Sequence, residues 1–168
     1  MILYHGSDTI IKKPEIRLSG RTLDYGSGFY TTTSFDQAKQ WTERKLERGN
    51  TEFGFVNVYS FDKTAALALD CKVFESATDE WLDFVMFNRT KRDYIHNYDI
   101  VCGPVADDRV YAAFALYEGG ILNRQGLIAE LKTYKLVDQY LFHTERSLNC
   151  LRFMEARKIP YQHGDYAR

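Results

Sequence analysis

A chain of 168 residues with 45% hydrophobic content is long enough for one domain with a packed core. Its formal net charge of −1 leaves no surplus of Lys and Arg, which excludes a general nucleic-acid or membrane-surface binder that works by neutralising phosphates. Aromatic residues reach 15%, so rings remain for stacking on a flat ligand after the core is filled.

The N-terminus, MILYHGSD, lacks a basic region followed by a long apolar run, and no segment approaches the length of a membrane span. The expectation is a cytoplasmic protein with no membrane partner. Cys71, Cys102 and Cys150 are scattered, which predicts free thiols in a reducing compartment, acting as small buried hydrophobes.

In chain order, Met1 to Tyr4 reads as a short strand ending at His5-Gly6-Ser7. Residues 8–27 hold turn formers and no steady period. Gly28 to Thr33 is aromatic and β-branched, a strand. Ser34 then stands as an N-cap with Gln37 three residues later, the pattern of a capping box, and predicts a helix to about Arg48 that stops at Gly49. Phe35, Ala38, Trp41 or Thr42, and Leu46 share one face of it.

Glu52 to Phe61 alternates partly and predicts a strand. Ala65 to Phe74 holds another candidate. Thr78 to Arg89 has helical spacing. Tyr98 to Cys102 is a short strand before a break at Gly103-Pro104. Asp107 to Tyr117 predicts a helix ended by Gly119-Gly120, and Arg124 to Tyr134 a second. Gln139 to His143 is a strand, and Thr144 caps a short turn. From Lys158 on, a loose tail is expected. The boundaries are thus one domain over 1–157 and a C-terminal tail over 158–168. Antiparallel-type strands mixed with helices in no regular βαβ rhythm favour the α+β class, and no GxGxxG supports a Rossmann site.

Three segments place polar residues at strand edges: YHGS (4–7), GSGFYTTTSFDQAKQW (26–41) and DQYLFHT (138–144). In these the chain resembles the ADP-ribosyltransferase superfamily, in its branch of diphtheria-type toxins and poly(ADP-ribose) polymerases. LYHGS is similar to that branch's strand followed by His-Gly-Ser. The second segment is similar to its Gly-x-Gly-aromatic-Tyr strand running into a helix, with Tyr30 and Trp41 in the aromatic positions. The third resembles the late strand that usually opens on Glu, which here is Gln139. More closely, the chain is similar to a bacterial family of uncharacterised proteins related to these transferases. The shared stretches are YHGS (4–7), GFYTTT (28–33), DxWLDF (79–84), DIVxGPVADDRVY (99–111) and QxxFHTE (139–145).

The resemblance implies an ADP-ribosyltransferase-like split antiparallel β-sandwich with peripheral helices. It implies NAD as substrate, no metal, and a macromolecular acceptor of protein or nucleic acid. It implies a mono-ADP-ribosyltransferase acting as a toxin or defence effector, with an antitoxin as partner. The implied catalytic residues are His5, Tyr30 and Gln139. The implied NAD-binding set is His5, Gly6, Ser7, Gly28, Tyr30 and Trp41.

Those residue types suit that chemistry. Two rings can sandwich a cationic pyridinium, each face contributing about 0.5–2 kcal/mol. Gly6 admits a carboxamide close to the backbone, Ser7 can donate to its oxygen, and His5 can hold a ribose hydroxyl. Gln139 hydrogen-bonds but carries no charge and cannot act as a base. That leaves slow mono-transfer, a base from elsewhere, binding without chemistry, or hydrolysis of NAD by water. Asp107 and Asp108 are candidate replacement acids, with Glu145 a weaker one, although Asp107-Asp108-Arg109 also suits a plain helix N-terminus. Lys12, Lys13, Arg17 and Arg21 read as a solvated basic loop, which the resemblance places near the pyrophosphate. Asp24 and Tyr25 either shape the loop before the glycines or touch the acceptor. His143 and His163 lack partners at metal-ligand spacing.

Overall fold

The fold, taken from a computed structural model, is described for residues 1–16, 23–49, 51–91, 95–104, 108–134 and 136–161. Strand β1 (Ile2–Ser7) outlasts its expected end at Tyr4. It continues because His5, Gly6 and Ser7 keep pairing with Asn57, Val56 and Phe55 of β3 (Phe53–Phe61). Between them lie β2 (Phe29–Thr31) and helix α1 (Phe35–Gly49). Ala38, Thr42 and Leu46 form the buried stripe of α1, so Thr42 rather than Trp41 faces the core.

The candidate strand from Ala65 begins instead as α2 (Lys63–Ala66), because the Asp62 side chain accepts from the amides of Thr64 and Ala65 and caps a helical turn. Strand β4 (Cys71–Val73) follows, then α3 (Asp79–Thr90), capped by Thr78. Strand β5 (Ile100–Pro104) runs straight through the expected break, since Gly103 opposes Gln139 and Pro104 opposes Asp138 of β6 (Asp138–Phe142). Pro104 is tolerated as the last strand residue. Helices α4 (Asp108–Glu118) and α5 (Arg124–Lys132) precede β6. Helix α6 (Glu145–Leu148) and strand β7 (Leu151–Pro160) close the described chain.

Two sheets result. The first, in order β1-β3-β7, is antiparallel. The second, in order β2-β6-β5-β4, is mixed, because β4 pairs with β5 in parallel. The purely antiparallel expectation is corrected there: β4, α3 and β5 make a crossover, which is how parallel neighbours are joined. Leu3, Phe29, Tyr59, Phe61, Ile100 and Phe142 form a core between the sheets. Trp81, Phe114, Leu127 and Leu141 belong to a second core, between the mixed sheet and α3, α4 and α5. Ala38, Val56 and Ile159 seat α1 on the outer face of the first sheet.

The tail expected from Lys158 is corrected for its first three residues, which belong to β7. Lys158 pairs with Phe55, Ile159 with Gly54 and Pro160 with Phe53, and Ile159 is buried. Residues 162–168 lie outside the described residues. Among the described residues, no helix is long and apolar enough to cross a membrane. The three cysteines are free thiols, and Cys71 is exposed rather than buried as expected.

Candidate functional site

The sheets meet where β1 lies beside β2. One β-bridge among the described residues joins them, with the Tyr4 amide on the Thr32 carbonyl at 2.8 Å and the Thr32 amide on the Tyr4 carbonyl at 3.0 Å. One residue further along β1, the link passes to a side chain, His5 Nδ1 standing 2.6 Å from the Tyr30 carbonyl oxygen. A carbonyl only accepts, so Nδ1 carries the proton. The imidazole also stacks on Phe29, with ring centroids 4.3 Å apart.

Beside this seam is a narrow cleft of about 280 Å³ of empty space, part of it open to solvent. Its walls include His5 and Gly6 from β1, Tyr30 and Thr32 near β2, Gln37 and Trp41 from α1, and Gln139 from β6. Five residues singled out in the sequence, His5, Gly6, Tyr30, Trp41 and Gln139, thus share one cleft. Ser7 and Gly28 do not line it. The Ser7 side chain is buried and its hydroxyl donates to Asp8 Oδ1 at 3.1 Å, closing the turn after β1. A Cβ on Gly28 would lie 2.4 Å from the Phe142 carbonyl oxygen, so its lack of a side chain answers to β6.

Gly6 has a similar explanation. A Cβ there would meet the Ala38 carbonyl oxygen at 2.2 Å and the Thr42 amide nitrogen at 2.9 Å. The glycine lets α1 sit on β1, which brings Gln37 and Trp41 to the cleft. Trp41, 38% exposed, forms an outer wall.

Tyr30 and Gln139 share a wall through register. Tyr30 opposes Leu141 across β2 and β6, and Gln139 is two residues from Leu141, so both lie on one face as diagonal neighbours. The Tyr30 hydroxyl donates to the Gly26 carbonyl at 2.5 Å and accepts from the Tyr25 amide at 3.3 Å, which fixes the ring. Gly26 adopts φ +89°, a turn that favours glycine.

Two histidines hold that loop. His96 Nε2 lies 2.8 Å from the Tyr25 carbonyl oxygen and His143 Nδ1 lies 2.6 Å from that of Ser27. Burial lowers the His96 pKa, favouring the neutral ring. Tyr25 is fully buried, donating to the Pro104 carbonyl at 2.8 Å and accepting from Trp81 Nε1 at 2.8 Å. Burial pushes its hydroxyl well above the ordinary range. Asp24, also buried, pairs with Arg89 at 3.2 Å. Both residues therefore shape the loop.

Gln139 is 4% exposed, and its Nε2 has no hydrogen-bond partner among the described residues. The amide lies toward the Tyr25 hydroxyl without reaching bonding geometry. An unpaired buried N–H costs about 1–3 kcal/mol, so this group asks for an explanation.

Sequence reasoning overlooked a polar knot at the rim. Asp138 Oδ1 accepts from the Thr33 amide at 2.9 Å, and Oδ2 from the Thr33 hydroxyl at 2.7 Å. The Thr32 hydroxyl has two acceptors in reach, Asp138 Oδ1 at 3.2 Å and Gln37 Oε1 at 3.3 Å. The capping box forms only in half. Ser34 Oγ accepts from the Gln37 amide at 3.2 Å, but the Ser34 amide donates to the Thr32 hydroxyl, leaving the Gln37 side chain to the cleft. The TTTS run and the Asp before Gln139 were the available signals.

The other candidates are placed as follows. Asp107, Arg17, Arg21 and His163 lie outside the described residues. Asp108 opens α4, and its side chain lies outside them too. Glu145 is exposed at the start of α6, and Lys12 and Lys13 are exposed. No group of three or more His, Cys, Asp or Glu among the described residues is arranged to hold a metal.

No curated protein and no solved structure matches this chain. Residues 1–153, which carry β1 through β6 and the whole of the cleft, match one family, and the chain belongs to it: the family described as protein of unknown function (DUF3990).

Proposed function

We propose that this cleft binds NAD⁺ and that the protein is a mono-ADP-ribosyltransferase acting on a protein or nucleic-acid acceptor, in the role of a toxin or defence effector. The observation that carries this reading is the convergence of His5, Tyr30, Trp41 and Gln139, from four separate elements, on one cleft. A split sandwich of the ADP-ribosyltransferase kind is the fold proposed for it, with the cleft at the seam between the sheets.

Tyr30 and Trp41 would face the pyridinium, and His5 would lie against a ribose hydroxyl. In transfer, the bond from ribose C1′ to the pyridinium nitrogen breaks and nicotinamide leaves with the electron pair. The acceptor's nucleophilic atom bonds C1′ and gives its proton to solvent or to a carboxylate. The transition state carries positive charge on the sugar. Gln139 can orient a hydroxyl there but takes no proton, so general-base assistance, typically worth about 10²–10⁴-fold, is not its contribution.

A second reading has its own support. No carboxylate is among the described residues that line the cleft, which suits a binder of NAD⁺ or ADP-ribose without turnover. Water as acceptor, giving glycohydrolysis, is the third outcome of the same experiment. Purified protein is incubated with labelled NAD⁺ and cell lysate, following nicotinamide release and label on macromolecules. Release with label retained supports transfer; release without it supports hydrolysis; calorimetric binding without release supports the binder. Absence of both binding and release removes NAD⁺ from the account.

A further inference from the structure

We infer that Gln37 is a specificity-determining residue, turning its carbonyl oxygen into the cleft to accept from an N–H of the ligand, so that the site reads a primary carboxamide. This rests on the nicotinamide reading of the cleft and adds to it which side chain recognises the amide.

Protons and lone pairs at Thr32 decide which way the Gln37 amide faces. Its hydroxyl has one proton and two lone pairs. One lone pair accepts from the Ser34 amide at 3.1 Å. The proton has two claimants, Asp138 Oδ1 at 3.2 Å and Gln37 at 3.3 Å. Asp138 is the stronger acceptor, since a hydrogen bond to a carboxylate is roughly twice as strong as one between neutral groups. With the proton on Asp138, the face of Thr32 toward Gln37 shows a lone pair, and an oxygen there would meet oxygen with no hydrogen between. A side-chain amide turned end for end fills the same volume. Turned so, Gln37 donates Nε2–H to Thr32, and its Oε1 becomes the atom free for a ligand.

Gln139 lines the same cleft, but its Nε2 lies toward the buried Tyr25 hydroxyl. One acceptor from Gln37, between the rings of Tyr30 and Trp41, suits the NH₂ of a flat ring bearing a carboxamide. Ser7, which the sequence suggested for that task, is committed to Asp8 outside the cleft. Gln37 also sits one helical turn before Trp41, so the amide reader and the outer ring stand on the same side of α1.

The test uses two cations of equal charge, 1-methylnicotinamide and the methyl ester of 1-methylnicotinate, titrated by calorimetry into the full chain. The ester keeps the carbonyl and lacks the N–H. Wild type is expected to bind the amide at least about tenfold more tightly, because an unpaired buried acceptor is costly. Gln37→Met should erase that preference, weakening the amide through loss of its acceptor and strengthening the ester through loss of the unpaired oxygen. If Gln37→Met does not fold, Gln37→Ala is read in its place, with the same loss of preference expected. Binding of both cations with no preference, or a preference that survives Gln37→Met, overturns this inference and leaves the nicotinamide reading intact. Binding of neither cation overturns both.

Discussion

His5 Nδ1 and the Tyr30 carbonyl oxygen stand 2.6 Å apart, so the proposed ribose anchor is held by the backbone of a residue that lines the same cleft. The imidazole is thereby fixed in both tautomer and direction. His5→Ala removes the anchor and the strap together. The expected outcome is loss of about 1 kcal/mol of stability, the usual worth of one such bond, and roughly tenfold weaker NAD⁺ binding. Chemical denaturation and calorimetry separate the two effects. Unchanged affinity in a folded variant would remove His5 from the site.

Trp41 and Gly6 should respond in opposite ways. Trp41 is partly exposed and stands outside the buried stripe of α1. Trp41→Ala should therefore leave the melting temperature nearly unchanged while weakening NAD⁺ by about 3- to 30-fold, the range of one cation–π face. Gly6→Ala drives a methyl into the Ala38 carbonyl. It should cost about 2–3 kcal/mol by overpacking, whatever the ligand. Thermal melts with and without NAD⁺ check both.

Gln139→Glu puts a carboxylate where the chemistry would need one. Under the transferase reading, the rate of nicotinamide release should rise by at least about tenfold, against the 10²–10⁴ that a good base supplies. Gln139→Leu, which deletes the unpaired N–H, should be neutral or slightly stabilising in the empty protein and should weaken ligand binding. A release rate unmoved by Glu places the reacting carbon elsewhere.

Acid stability depends on Asp99, a buried carboxylate outside the cleft. Burial alone would raise its pKa. Hydrogen bonds from Arg146, Thr144 and the Asp70 amide outweigh that and hold it at about 2, below the ordinary 3.8. The unfolded chain therefore binds this proton first as pH falls. The stabilisation is complete above about pH 5 and is lost as pH drops through 4 toward 2. Asp99→Asn should lower the melting temperature at pH 7 and flatten its decline between pH 5 and 2. Parallel slopes for both proteins would exclude Asp99 as the source.

How far the sequence could be read depended on which interactions were local. The Ser34 cap, the α1 stripe and the aromatic β2 strand were legible because each is set within a few residues. So was the grouping of His5, Tyr30 and Trp41, through a resemblance in their spacing. The longest strand, β7, went unseen: it lies at a sheet edge, where exposed Arg152, Glu155, Arg157 and Lys158 blur the alternation of a half-buried strand. Gly103-Pro104 looked like a stop, because only a partner strand over 30 residues away keeps it extended. The packing role of Gly6 against α1 went unseen for a related reason. Nothing near it in the chain announces the Ala38 carbonyl. The Thr32, Gln37 and Asp138 knot joins residues more than 100 positions apart, and no local pattern carries it.

The seam at Tyr4 and Thr32 gives the molecule a weak line. Two main-chain hydrogen bonds, rather than a full ladder, make up the one β-bridge between the sheets among the described residues. Tyr4 and Thr32 both line the cleft, so a guest held there lies against that short stitch. The Tyr4 and Thr32 amides are therefore natural gauges of occupancy: deuterium should enter at those two positions at a different pace once the gap is filled, while exchange within β3 stays as it was.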